Sequence, residues 1–217
     1  MNEVAPDELV EDFRRQCEEE GSAEACHSFA EYVHLARDNA AEALRLFRRN
    51  CDPPEAGARR FGPSCFAAGS LLAKESADAS QEALGYFDKA CAAGSGEGCT
   101  NAALIHRLGM YGTPRSEQRA YHYYDRACSA AGADGKGCFG AAVMLMKTDA
   151  SESRVLDYFE KACLQGNPYG CSNGVVLLSK GQGDVQPDAE RAARLRAMGT
   201  ELANSMGLKI VKEGGQD

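Results

Sequence analysis

Ten cysteines carry most of the chemistry this sequence could do: Cys17, Cys26, Cys51, Cys65, Cys91, Cys99, Cys128, Cys138, Cys163 and Cys171. Thiols in such number close disulfides, hold zinc or run dithiol redox chemistry. A redox enzyme of the thioredoxin kind needs C-x-x-C, and none is present. Zinc fits poorly, because no C-x2-C or C-x4-C occurs and no histidine cluster stands beside a cysteine pair. The sequence therefore predicts no metal site.

Four histidines remain as candidates. His27 and His34 follow Cys26 at plus one and plus eight, seven apart on one helical face and so roughly 10 Å apart along the axis. A simple ion would need a third ligand to bridge that distance; a flat cofactor such as haem would suit the pair better. A solvated helix face explains both side chains more simply, and no bound cofactor is expected. His106 falls at a core-facing position. His122 stands with Tyr121, Tyr123 and Tyr124 in a cluster that could stack on a partner, although Tyr121 and Tyr124 are read as core.

No catalytic residue is expected. S-x-x-K and G-x-S-x-G are missing, and so is the phosphate-cradling G-x4-G-K-[ST]. The glycines of GSGEG (94–98) lie between two helices and read as a turn.

The elements that position these residues repeat. Cysteine spacings alternate 9, 25, 14, 26, 8, 29, 10, 25 and 8, and the odd-numbered cysteines recur every 34 to 40 residues, a period of stacked helix pairs. The segments ending at them align as ELVEDFRRQC (8–17), EALRLFRRNC (42–51), EALGYFDKAC (82–91), RAYHYYDRAC (119–128) and RVLDYFEKAC (154–163). ERAARLRAMG (190–199) is a sixth copy with Gly199 in the cysteine's place. Large apolar residues stand four before (Phe13, Phe47, Phe87, Tyr124, Phe159, Leu195) and seven before, which puts them on one face of a helix B.

Each even-numbered cysteine opens a helix A. Small residues dominate three and four positions on, as at Ala68-Gly69, Ala102-Ala103 and Ala141-Ala142, and let a neighbouring helix approach closely. Polar or Gly/Pro stretches (RDNA, ESADAS, GMYGTPRSE, TDASES, GQGDVQPD) read as A–B turns with helix caps.

The predicted fold is an all-α, right-handed α/α solenoid over residues 6–206, with a cap helix (about 6–20), five A/B pairs, an N-terminal tail at 1–5 and a polar tail at 207–217. Repeat phase then selects five bridges: Cys17–Cys26, Cys51–Cys65, Cys91–Cys99, Cys128–Cys138 and Cys163–Cys171. Each short loop closed stabilises by roughly 2–3 kcal/mol. The longest, through PPEAGARRFGPS between Cys51 and Cys65, is expected to be the least protected. Reduced cysteines packing as small apolar residues are the competing reading.

The 217 residues carry a net charge of −8, and the arginine pairs are scattered among acids, which argues against nucleic-acid binding. No apolar run reaches the length of a membrane span. The first twenty residues resemble neither a secretory signal nor a transit peptide.

EALGYFDKACAAGSGEGCTNAALI (82–105) and YFEKACLQGNPYGCSNGVVLL (158–178) resemble the Sel1-like repeat family, specifically its cysteine-rich branch, with KAC closing one helix and GC opening the next. GQGDVQPD (181–188) resembles the family's glycine-containing A–B turn. The resemblance covers about residues 8–200 and implies a protein-binding solenoid. That branch includes secreted bacterial proteins described as binding or cleaving β-lactams, and eukaryotic assembly factors for cytochrome c oxidase in the mitochondrial intermembrane space. The second group implies a monomeric, non-enzymatic adaptor, met by respiratory-chain assembly components and by the oxidative import machinery. A secreted or periplasmic protein acting on cell-wall or β-lactam-type ligands is the alternative, and a cytosolic scaffold with free thiols a third.

Overall fold

The computed structural model describes residues 6–53, 59–75 and 77–208, with the side chains of 6–7 and 77–80 excepted. The expected tail at 1–5, nearly all of that at 207–217 and the middle of the PPEAGARRFGPS loop lie outside the described residues. Among the described residues the chain is all-helical apart from one isolated bridge, Gln182 with Val185, in the GQGDVQPD turn.

The helices fall into two compact units, Met1–Arg115 and Ser116–Asp217. The first holds α1 (Pro6–Glu18), α2 (Ala23–Leu35), α3 (Ala40–Cys51), α4 (Gly62–Glu75), α5 (Ala77–Ala92) and α6 (Gly96–Leu108). The second holds α7 (Glu117–Cys128), α8 (Lys136–Leu145), α9 (Glu152–Leu164), α10 (Pro168–Lys180) and α11 (Ala189–Ser205). Within each unit every helix packs on the next in sequence. This is the expected order of a cap helix and alternating A and B helices.

Helix starts follow from capping chemistry. Asn39 Oδ1 accepts from the Glu42 N–H at 3.1 Å, Ser95 Oγ from Gly98 at 3.1 Å, and Asp188 Oδ1 from Arg191 at 2.9 Å, each satisfying an otherwise orphaned donor. Helix α5 begins at Ala77, inside the ESADAS stretch read as a turn; its alanines favour helix and extend it backwards.

The A faces bury as the repeat predicts. Ala30, Ala68, Ala102, Ala103, Ala141 and Ala142 are fully buried, with Val33, Leu72, Leu145 and Leu178 below them. At Gly69 a Cβ would meet the Phe87 ring at 2.9 Å, so the absence of a side chain is what admits helix α5 there. On the B helices the seam differs in detail from the expected one. Val10, Leu44 and Leu156 are buried at the expected position, but Leu84 and Tyr121 are only half-buried, and Ala83 and Ala120, one residue earlier, are in the core. The packed line is thus Ala83, Phe87, Ala90 in α5 and Ala120, Tyr124, Ala127 in α7, an i, i+4, i+7 stripe of alternating small and large residues.

Candidate binding site

All ten cysteines are paired as the repeat phase predicts, with Cα–Cα separations of 4.4 to 4.7 Å. Each bridge joins the end of one B helix to the start of the next A helix. Cys51 and Cys65 are fully buried, whereas Cys26 is partly exposed. Solvent access therefore singles out Cys17–Cys26, and the expectation that Cys51–Cys65 is least protected fails: loop length does not decide the burial of the sulfurs.

The residues just before the cysteines fix how closely the stapled helices approach. Three repeats pair alanine with glycine: Ala90 with Gly98, Ala127 with Gly137, and Ala162 with Gly170. A Cβ on these glycines would lie 2.5, 2.5 and 2.6 Å from the alanine methyls. Two junctions depart: α1–α2 has Gln16 and Ala25, and α3–α4 has Asn50 and Ser64. Asn50 Nδ2 donates to Ser64 Oγ at 2.7 Å and to the Ala23 carbonyl at 2.8 Å, and Ser64 is fully buried.

That polar pair reaches His27. Its Nδ1 lies 3.1 Å from Ser64 Oγ, and its Nε2 lies 3.5 Å from Glu31 Oε1. The Glu31 carboxylate facing Nε2 favours the tautomer with the ring proton there, and Nδ1 then accepts from the Ser64 hydroxyl. The ring packs on Phe47 and Phe61, with centroids at 5.4 and 5.6 Å. Burial pushes the imidazolium pKa below its ordinary value, and Glu31 opposes that only in part, so His27 is neutral at pH 7.

Above this network lies a cavity of about 370 Å³ formed by α2, α3, α4 and α6. Its apolar lining includes Phe47, Pro63, Phe66 and Leu71, with Leu35, 78% exposed, at its edge. Glu31, His34, Lys74 and Glu97 supply the polar groups. The structure thus brings His27 and His34 into one pocket. His34 Nδ1 is buried without a hydrogen-bond partner, while His27 is committed to Ser64 and Glu31. A haem contact through both would have to displace that carboxylate, so the donor set leaves haem one unengaged imidazole. Among the described residues no three His, Cys, Asp or Glu side chains converge as a metal site.

The second unit fills the corresponding place. Phe139, one residue after Cys138 as His27 is after Cys26, packs on Phe159 at 5.8 Å and on Tyr169 at 6.1 Å. In this register Phe159 matches Phe47 and Tyr169 matches Pro63.

The remaining candidates are structural in their settings. His106 is 4% exposed, in the core position expected. Tyr124 is buried, and Tyr121 Oη lies 3.2 Å from Tyr158 Oη and accepts from Arg154 at 2.7 Å. Tyr158 donates to Asp125; burial first, then that carboxylate, raises its phenol pKa well above the ordinary range. His122 is exposed beside Tyr123. Only the start of GSGEG is a turn, with Gly94 at φ +89° and Ser95 capping α6; Gly96, Glu97 and Gly98, expected in the turn, form the first turn of that helix. The Asn50–Ser64 exchange was visible in the sequence as N-C and S-C where three other repeats have A-C and G-C; its contact with His27, whose ring meets Ser64 37 residues away, was not.

Comparison with known proteins agrees with this architecture. Sel1 repeats are matched at residues 65–95, 96–131, 156–167 and 170–195. The chain is 26% identical over 209 residues to cytochrome c oxidase assembly factor 7 of Xenopus tropicalis, covering 90% of this chain and 86% of that one. A Sel1 repeat protein from Oxalobacter formigenes superposes with a TM-score of 0.70 at 18% identity, over 89% of this chain and 79% of the other. A protective antigen of uropathogenic Escherichia coli gives 0.69 at 16% identity, over 92% and 45%. These structures share the fold. The chain carries Sel1 repeats in the matched segments and shares the fold of Sel1-repeat proteins.

Proposed function

We propose that the chain is a non-enzymatic adaptor for respiratory-chain assembly, chiefly of cytochrome c oxidase, in the mitochondrial intermembrane space. The similarity to cytochrome c oxidase assembly factor 7 along 90% of the chain carries this reading. Five disulfides support an oxidising compartment, since bridges of this kind do not persist among cytosolic reductants. No described helix is long and apolar enough to cross a membrane. A Sel1-repeat scaffold presents side chains of successive A helices to protein partners. Here those partners are respiratory-chain assembly components, after the oxidative import machinery has closed the bridges.

The test is deletion in the cells the chain comes from, read by native gels of the respiratory complexes and by alkylation before lysis. The expected result is less assembled cytochrome c oxidase, with the chain in the intermembrane space and no free thiols. Cytosolic protein with ten free thiols overturns the reading. Secreted protein, with the oxidase unaffected, replaces it with the β-lactam or cell-wall alternative.

A further inference from the structure

The cavity over His27 has a filled counterpart at one other place in the chain. In the second unit the Tyr169 ring covers Phe139. In the first unit Pro63 occupies that register, and the second ring on His27 is Phe61, at 5.6 Å, which does not line the cavity. Ser64 and Glu31 hold the His27 ring on Phe47. About 370 Å³ stands open above it, at the small end of ligand-sized cavities and suited to one bulky side chain.

The charges at this mouth are unbalanced. Glu31 has only the neutral His27 beside it, and Glu97 carries no ion pair among the described residues. Lys74 is the single basic side chain opposite these two carboxylates, on a chain of net charge −8. An incoming positive charge is therefore favoured over a negative one.

We propose that this pocket receives one aromatic side chain of a partner protein, in the place that Tyr169 fills in the second unit, with a lysine or arginine next to it facing Glu31 and Glu97. The proposal rests on the adaptor reading and names the contact chemistry that adaptor uses. Leu35 closes over the guest ring, which explains an exposed leucine at the lip.

The experiment titrates the ¹⁵N-labelled, oxidised full chain with N-acetyl-Phe-Lys-amide, N-acetyl-Phe-Glu-amide and N-acetyl-Ala-Lys-amide. The Phe-Lys probe is expected to shift amides of Leu35, Ala67 and Ser70 saturably, and to bind about tenfold more tightly than Phe-Glu at low salt. The gap should shrink at high salt, and Ala-Lys should leave these amides unmoved. Pro63→Tyr, at an exposed position, supplies the missing ring and should abolish binding with the spectrum otherwise intact. Glu31→Gln with Glu97→Gln should keep binding but lose most of the preference for lysine. Equal affinity for the three probes, shifts centred elsewhere, or full binding by Pro63→Tyr would overturn the proposal. If the titration fails while deletion still lowers cytochrome c oxidase, the pocket is wrong and the adaptor reading stands.

Discussion

Two kinds of junction, α3–α4 on one side and α5–α6, α7–α8 and α9–α10 on the other, solve one packing problem in two ways. Where a B helix is stapled to the next A helix, α7–α8 and α9–α10 in the second unit press alanine against glycine, with no room for a further carbon. In the first unit, α3–α4 places Asn50 and Ser64 in the same register and joins them by a hydrogen bond. One solution is steric and self-contained. The other is polar and must be completed by its surroundings, which is why His27 and Glu31 are drawn in. The difference teaches that a repeat can exchange close packing for a buried polar network without losing its staple, and that the exchange leaves a functional-looking pocket behind.

The strongest way to break the comparison is to put a side chain into the steric version. Gly170→Ser brings a Cβ to 2.6 Å from the Ala162 methyl and 2.7 Å from the Phe159 carbonyl oxygen. Overpacking of that kind costs about 1–3 kcal/mol, read as a fall in the urea midpoint. An unchanged midpoint would show that close approach does not hold these helices together.

A sharper test removes half of the polar version. Asn50→Ala strips the fully buried Ser64 of its donor, at a cost of about 1–2 kcal/mol. The double change Asn50→Ala with Ser64→Gly recreates the alanine–glycine pair of three other repeats and should recover most of that loss. If the double variant is as unstable as the sum of its parts, the two solutions are not interchangeable.

The smallest effect is in pH. His27 has a folded pKa below its ordinary value of 6.5 because burial disfavours the charged ring. Its neutral form is favoured in the native state, so its contribution is fully present above the unfolded pKa and is lost as pH falls through the folded one. His27→Phe, the residue that the second unit has in this register, should flatten the stability profile below pH 6.5 relative to the parent. An identical slope in both proteins would assign the pH dependence to other groups.

Much of this was legible beforehand because periodicity and repeat phase report on the same contacts. The burial of Ala68, Phe87 and Leu178 follows from 3.6-residue spacing. The five bridges follow because every cysteine has a partner at equal phase. Less legible was the seam of the B helices. Alanines such as Ala83 and Ala120 sit at its centre, and their small size hides them from a pattern read through large residues. The site was only half legible: His27 and His34 stood out by type and spacing. Ser64 did not, since an isolated serine gives no sign that an asparagine 14 residues earlier and a histidine 37 residues earlier will meet it.

The staples have one more consequence. Each bridges a loop between helices, with Cys91–Cys99 and Cys163–Cys171 spanning 8 residues and Cys51–Cys65 spanning 14, while the A–B turns have no such link. A protease cutting inside a stapled loop opens the backbone but leaves both pieces on one covalent thread through sulfur. A cut at an A–B turn such as GQGDVQPD divides the molecule outright. Non-reducing and reducing gels of the same digest would therefore read different lengths. The molecule is a chain that can be nicked many times before it is broken once.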